Sequence, residues 1–274
     1  MALKKSDKQA YLIIGAVFVF VATVFSVYGI KKWTRPNIGP DNCVYVDKRF
    51  SKRVPVEQTV ILVDQSEALT EGHRRFAKKY IEEYVADERK FPIGSRIMLF
   101  TFSKLDFSDQ NPSGPSFRPN PDLCRPPSEG NELYENNKKI TRIFYLRFLM
   151  PLFEALDKSL SKELGERSPI LETLQFISRS QDVEEWGKRK TLILISDMLQ
   201  HTDAFSHYRG QRTYEDFQSR IAKDVRADFR GWDIVVIYLR RYRDRNLQQQ
   251  DHLEFWQRYF HDAGGKIIQW AGVD

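Results

Sequence analysis

The sequence predicts an α/β protein in which a doubly wound, mostly parallel sheet carries helices on both faces, preceded by one transmembrane helix. Three observations lead to this prediction. Short, continuously apolar runs alternate with amphipathic stretches, which is the pattern of parallel strands joined by helices. Two of these runs, TVILVD (59–64) and KTLILISD (190–197), end in an aspartate. A separate stretch of 20 residues without a charge lies near the start of the chain.

The uncharged stretch is Tyr11–Ile30, YLIIGAVFVFVATVFSVYGI. A helix of about 20 residues crosses a bilayer core of ~30 Å. Lysines stand on both sides, and Tyr11, Tyr28 and Trp33 lie where interfacial aromatic residues are common. The apolar region of a cleaved signal peptide is shorter, about 7–15 residues, so an uncleaved anchor is favoured. We expect a tail over 1–10, a transmembrane helix over 11–30, a linker leading into the domain over 31–56, and one domain over 57–274.

The domain elements follow from the spacing of apolar residues. A buried strand is predicted over 59–64, and a helix begins after Thr70, a suitable N-cap. Residues 104–138 are rich in Pro, Asn, Ser and Gly, so a long loop insertion is predicted there. The other expected elements are a strand over 95–103, helices over 139–161 and 169–179, a strand over 190–197, a helix over 214–229, a strand over 232–239, a helix over 251–265 and a strand over 266–270.

The net charge of +6 does not indicate a nucleic-acid-binding protein. Residues 1–40 contain six Lys/Arg and one acidic residue, whereas the rest of the chain contains 37 basic and 36 acidic residues. Binding to nucleic acid requires a basic patch on the folded domain. We therefore expect no nucleic-acid partner.

The two cysteines, Cys43 and Cys124, both lie in loop-like sequence close to prolines. Such a pair is typical of a single disulfide in an oxidising compartment, although two separate reduced thiols remain an alternative. Three Lys/Arg stand on each side of the predicted anchor, so the positive-inside rule does not decide its orientation. We expect a Cys43–Cys124 disulfide and a domain on the periplasmic or extracytoplasmic side.

Asp64 and Asp197 each follow a predicted strand directly. The carboxyl ends of parallel strands meet at one edge of the sheet, where ligands bind, so we expect the two carboxylates to converge. Ser66 can reach the same point because the turn after the strand curls back over its end. Oxygen ligands suit a hard cation such as Mg²⁺ rather than zinc. Aspartates after strands also form turns and cap helices, and that simpler interpretation stays open.

This arrangement resembles the von Willebrand factor type A domain and its metal-ion-dependent adhesion site. That family has Asp-x-Ser-x-Ser after the first strand, a Thr that opens a later helix, and an Asp after the fourth strand. Asp64 and Ser66 match the first two positions, and Asp197 matches the last. Ser168, in GERSPILETLQ, matches the threonine position, whereas the third hydroxyl position is Ala68. The stretch FWQRYFHDAGGKIIQW is similar to the last helix and strand of bacterial members.

The resemblance implies a membrane-anchored module for adhesion or assembly that captures an acidic residue of a partner protein. Mg²⁺ or Mn²⁺ would mediate the contact. Because Ala68 supplies no hydroxyl, the alternative is a metal-free scaffold subunit of a membrane complex. The metal ligands implied by the resemblance are Asp64, Ser66, Ser168 and Asp197.

The stretch LRRYRDR (239–245) directly follows a predicted strand, so it lies at the same edge as the candidate site. Arginine suits contacts with carboxylates. We therefore predict that Arg240, Arg241 and Arg243 bind the acidic partner, with a solvated loop as the alternative.

A hydrolase is the less favoured class. A phosphatase with an aspartyl nucleophile would need a second acid two residues after Asp64, where Ser66 stands. A two-metal nuclease would need more carboxylates than the two that converge here. The sequence therefore predicts a binding protein rather than an enzyme.

Overall fold

The computed structural model describes residues 19, 21–23, 26, 37–45, 56–103, 118–129, 136–162, 165, 167–184, 189–210 and 213–273. The chain divides into two compact units, Met1–Asn37 and Ile38–Asp274. The predicted membrane segment Tyr11–Ile30 lies outside the described residues except at positions 19, 21–23 and 26, which are helical. Across the described residues, no helix has both the length and the apolar character needed to cross a membrane.

The second unit is a mixed α/β domain built on a six-stranded sheet. Two short strands, β1 (Asn37–Ile38) and β2 (Val44–Tyr45), form a small separate sheet. The strands of the large sheet are β3 (Gln58–Asp64), β4 (Arg96–Phe102), β5 (Asp122–Cys124), β6 (Lys190–Ser196), β7 (Trp232–Leu239) and β8 (Lys266–Val273). Their order is β5-β4-β3-β6-β7-β8, and every neighbouring pair is parallel except β4 with β5. The predicted mostly parallel sheet is therefore confirmed.

Helices connect most of these strands. In chain order they are α1 (Glu71–Ala86), α2 (Asn137–Phe144), α3 (Met150–Leu160), α4 (Ile170–Arg179), α5 (Gln181–Glu184), α6 (Tyr214–Arg220) and α7 (Gln250–Asp262). A π-helical turn, Tyr145–Leu149, joins α2 to α3. The Thr70 hydroxyl accepts a hydrogen bond from the His73 backbone N–H, which confirms the predicted N-cap of α1.

Each face of the sheet has its own apolar core, because successive side chains of a strand point to opposite faces. On β3, Val60 and Leu62 belong to the core that contains residues of α4 and α7. Ile61 and Val63 belong to the core that contains residues of α1 and α3. All seven residues of β3 are buried, so the end of this strand is a rigid support for the residues that follow it.

Several elements differ from the sequence prediction, and β1, β2 and α5 were not predicted. The predicted insertion 104–138 is not loop throughout, because Asp122–Cys124 forms the edge strand β5, while 104–117 and 130–135 lie outside the described residues. The helix predicted over 214–229 ends at Arg220. The last strand continues past residue 270 to Val273. A strand of three residues is too short to carry an apolar period, which explains why β5 was missed.

The predicted disulfide between Cys43 and Cys124 is confirmed. It joins residues that are 81 positions apart in the sequence. Cys124 is the last residue of β5, so the bond fixes the edge strand of the large sheet to the segment that contains β2.

Candidate functional site

The four predicted site residues lie at one point of the domain, at the carboxyl ends of β3 and β6. Asp64 ends β3 and Asp197 directly follows β6, and these strands are parallel neighbours. From β3 the sheet extends through β4 on one side and through β6 on the other. This reversal of strand order opens a crevice at the carboxyl ends of the strands, where ligands of α/β proteins bind. Asp64, Ser66, Ser168 and Asp197 are all buried there.

The Asp64 carboxylate accepts hydrogen bonds on both oxygens. Its Oδ1 accepts from the backbone N–H of Ser66 at 3.0 Å. Its Oδ2 accepts from the hydroxyls of Ser168 and Ser196, each at 2.8 Å. Ser196 was not predicted as a site residue, although it directly precedes Asp197. Three donors thus fix the orientation of this carboxylate.

Ser168 is held in place by the loop that follows β6. Its backbone N–H donates to the His201 carbonyl at 3.0 Å, and its carbonyl accepts from the His201 N–H at 2.9 Å. This pair of bonds clamps the loop before α4 onto the loop after Asp197. The clamp explains how a residue 104 positions from Asp64 comes to donate to it.

Asp197 is oriented by a turn in its own backbone. Its Oδ1 accepts from the Leu199 N–H at 2.9 Å. Between the two, Met198 adopts φ +63, in the left-handed region that non-glycine residues rarely occupy. The Met198 carbonyl accepts from Trp256 Nε1 at 2.9 Å and lies 2.9 Å from His252 Nε2. Contacts with α7 therefore stabilise a strained turn at the site, and such strain is typical of functional positions.

Arg241 lies inside this site rather than at its rim. Its side chain is 13% exposed, and its Nε donates to Asp197 Oδ2 at 2.5 Å. Its Nη1 donates to the Ala68 carbonyl and lies 3.1 Å from Glu67 Oε2. Gln248 accepts from the Arg241 backbone N–H at 2.7 Å, which fixes the chain at this point. The guanidinium thus connects the loop after β3 with the loop after β6.

The charged groups of the site affect one another's pKa values. Burial raises the pKa of the Asp197 carboxyl, Arg241 opposes that effect, and the nearby Asp64 adds to it. Burial alone would lower the pKa of Arg241, but Asp197 and Glu67 outweigh it and raise the pKa. Arg241 therefore stays charged, and it is the group that compensates the buried Asp197.

The residues of this site do not fit a divalent cation. A hard cation needs several oxygen atoms directed at one point. Here Asp197 Oδ2 and the Ala68 carbonyl are both bonded to Arg241, and Ala68 supplies no hydroxyl. A cation close to Asp197 would also meet the positive guanidinium. Among the described residues, no group of three or more His, Cys, Asp or Glu side chains is placed to hold a metal ion.

A groove of about 910 Å³ lies directly over the buried cluster. Its described lining includes Arg240, Arg241 and Arg243 but only one acidic residue, Glu67. Tyr242, also in the lining, is 84% exposed, and the Arg245 guanidinium lies 4.6 Å from the centre of its ring. Arg243 donates to Glu67 at 2.7 Å but keeps 72% of its side chain exposed. The rim of the site is therefore aromatic and basic.

The sequence prediction identified the carboxylates and both serines but not the internal role of Arg241. Arg241 was predicted, with Arg240 and Arg243, as a contact for a partner. The three arginines do lie at this edge, and their roles differ because only Arg241 is turned into the carboxylate cluster. Glu67, the acceptor for both Arg241 and Arg243, was also missed.

Comparison with known proteins shows only distant similarity. No family model matches the chain, and no curated protein sequence matches it. Two crystal structures of proximal thread matrix protein 1 from the mussel byssus are similar in part. One shares 12% identity over 68% of this chain and 38% of that chain, with a TM-score of 0.36. The other shares 13% identity over 80% of this chain and 42% of that chain, with a TM-score of 0.39. The chain thus spans less than half the length of these proteins.

Proposed function

We propose that this chain is a membrane-anchored protein-binding module of the type A class, and that it binds its partner at the carboxyl edge of the sheet without a metal ion. The observation that carries the proposal is the aromatic and basic groove over a rigid, buried carboxylate cluster. The sequence pattern of Asp64, Ser66, Ser168 and Asp197, together with the strand order, supports the type A assignment.

The proposed partner presents an acidic segment. Three arginines and one glutamate line the described part of the groove, so its charge complements a carboxylate-rich surface. Exposed tyrosine and arginine side chains are also the residue types that dominate the energy of protein interfaces. Tyr242, with its ring supported by Arg245, is the best candidate for the central contact.

A metal-free module is preferred over the Mg²⁺-dependent one because Arg241 already neutralises Asp197. The partner would then contact Arg240 and Arg243 directly rather than complete the coordination of an ion. Hydrolysis is not proposed, since three donors hold the oxygens of Asp64 and a buried, hydrogen-bonded carboxylate is a poor nucleophile.

Membrane attachment through Tyr11–Ile30 and an extracytoplasmic location remain part of the proposal. The disulfide between Cys43 and Cys124 supports the location, because structural disulfides persist in oxidising compartments.

Site-specific photo-crosslinking in membranes tests the function. A photoreactive residue is placed at Tyr242, and the matched control carries it at Arg230, close to the amino end of β7 and 82% exposed at its side chain. The expected result is a partner protein that crosslinks from position 242 only. The affinity of that purified partner is then measured, and Arg243→Glu is expected to weaken it about tenfold whereas Arg230→Glu does not. Equal crosslinking from both positions, or unchanged affinity in Arg243→Glu, would contradict the proposal.

A further inference from the structure

Arg241 occupies the centre of a site whose sequence pattern is that of a metal centre. We infer that the guanidinium of Arg241 is the resident cation of this site, in the place where a divalent ion would stand, and that removing it exposes a latent site for Mg²⁺ or Mn²⁺. The inference concerns the cation alone. It rests on the metal-free part of the proposed function and is tested by metal titration, whereas partner binding is tested by crosslinking and affinity, so failure of the inference is distinguishable from failure of the proposed partner binding.

The contacts of Arg241 are those that an ion would make. The guanidinium bonds to Asp197, to the Ala68 carbonyl and to Glu67, at distances of 2.5–3.1 Å. The same guanidinium also interacts electrostatically with Asp64. One cationic group thus connects the strand end of β3 to that of β6, which is the structural role of a metal ion bound between them.

One explanation covers both the missing hydroxyl at Ala68 and the inward position of Arg241. The third hydroxyl of the pattern is absent at Ala68, and the carbonyl of the same residue accepts from Arg241. A side-chain hydroxyl at position 68 has no ion to bind when a guanidinium is present. The alanine at position 68 and the inward arginine are therefore consistent with one another in a site whose cation is a guanidinium.

Charge balance predicts what happens without Arg241. Glu67 would keep its contact with Arg243, whose side chain is 72% exposed, whereas the buried Asp197 would lose the guanidinium bonded to it. An uncompensated buried carboxylate is strongly destabilising. A divalent cation can restore the balance, because the Asp197 and Glu67 carboxylates and the Ala68 carbonyl, which all contact the guanidinium, would be released to bind it.

The test uses the full chain and follows thermal unfolding with and without Mn²⁺. In the wild type, Mn²⁺ at about 1 mM is expected to leave the Tm unchanged. Arg241→Met is expected to lower the Tm and to regain several degrees with Mn²⁺, since a ligand that binds only the folded state raises its Tm. The double variant Arg241→Met with Ala68→Ser is expected to respond more strongly. Arg243→Met, which also removes an arginine from Glu67, is the matched control and is expected to show no response.

Two outcomes would overturn the inference. One is a Tm increase of the wild type with Mn²⁺ that disappears in Asp64→Ala, because the ion would then bind despite Arg241. The other is the absence of any Mn²⁺ response in both folded Arg241 variants. If Arg241→Met does not fold, Arg241→Gln replaces it, and direct Mn²⁺ binding to that variant is measured by electron paramagnetic resonance with the same expected result.

Discussion

At the scale of single residues, the two carboxylates of the site are compensated in different ways. Asp64 is held by neutral donors, a backbone N–H and two hydroxyls. Asp197 is held by one backbone N–H and by the charged Arg241. Charge-assisted hydrogen bonds are about twice as strong as neutral ones, so Arg241 is the contact on which the conformation of the site depends most. Hydrogen bonds within the domain thus fix the orientation of both carboxylates.

The turn after Asp197 predicts a pH dependence of stability. His252 is buried between Tyr238 and the Met198 carbonyl, and burial lowers its pKa from 6.5 to about 4. Below pH 6.5 the unfolded chain binds a proton that the folded chain does not, so the free energy of unfolding falls as the pH decreases towards 4. The loss attributable to this residue reaches roughly 3 kcal/mol.

Chemical denaturation between pH 7 and pH 4 measures this dependence. His252→Gln is expected to flatten it, and His261→Gln, whose side chain is 88% exposed, is expected to behave as the wild type does. A pH profile of His252→Gln that is as steep as that of the wild type would contradict the assignment.

At the scale of elements, the edge strand β5 is held by side chains rather than by its own length. Arg96 on β4 donates two hydrogen bonds of 2.7 Å to Asp122 on β5. The Cys43–Cys124 disulfide fixes the other end of β5. Arg125, the residue after β5, is fully buried and bonds to two backbone carbonyls. These contacts compensate for a strand that forms few main-chain bonds.

The burial of Arg125 gives a prediction for α1 and the turn that follows it. Its Nη1 donates to the carbonyls of Val85 and Phe91 at 2.8 Å and 2.6 Å. Arg125→Ala would leave both carbonyls without this donor and is expected to lower the free energy of unfolding by about 2–4 kcal/mol. Arg89→Ala in the same turn, at a side chain that is 90% exposed, is expected to change it by less than about 0.5 kcal/mol. Equal losses in the two variants by urea denaturation would contradict this role.

The strands β3 and β6 and the segment after α6 show which elements the apolar pattern of the sequence predicts and which it does not. The apolar runs 59–64 and 190–197 predicted their strands closely, because long buried strands carry a clear pattern. The helix predicted over 214–229 was too long, since Val225, Ala227 and Phe229 are buried in an irregular segment. Apolar residues recur there although the backbone is a series of turns and irregular segments rather than a continuous helix, and spacing alone does not distinguish the two cases.

The residues of the site were also only partly predictable from the sequence. Asp64 and Asp197 could be placed together from the sequence, because strand ends of a parallel sheet meet at one edge. Arg241 is 44 residues from Asp197, in a run of four arginines over 240–245. Which of these turns inward depends on how the loop after β7 packs, so only the structure revealed it.

At the scale of the whole molecule, the α/β domain is a rigid platform that presents a groove at one edge of its sheet. The apolar cores on both faces support β3 and β6, and these strands position the carboxylates. The proposed membrane anchor, Tyr11–Ile30, and the proposed extracytoplasmic location describe where in the cell this domain would act.

Cysteine labelling in intact cells tests the location. Both cysteines are expected to react with a membrane-impermeant maleimide only after a reductant is added, because they form a disulfide in an oxidising compartment. A cysteine introduced at the exposed Arg230 is the control for access, and it should react without reductant. An introduced cysteine at position 230 that reacts only after the membrane is permeabilised would contradict the extracytoplasmic location, whereas labelling of Cys43 and Cys124 without reductant would contradict the disulfide.

We propose that Arg241, rather than a metal ion, compensates Asp197 at the carboxyl edge of the sheet. A crystal structure of the wild-type protein grown with Mn²⁺ tests this most directly, because anomalous scattering locates manganese without ambiguity. We expect no manganese between Asp64 and Asp197, with Nε of Arg241 bonded to the Asp197 carboxylate. A manganese ion bound to both carboxylates, with Arg241 displaced towards solvent, would contradict it.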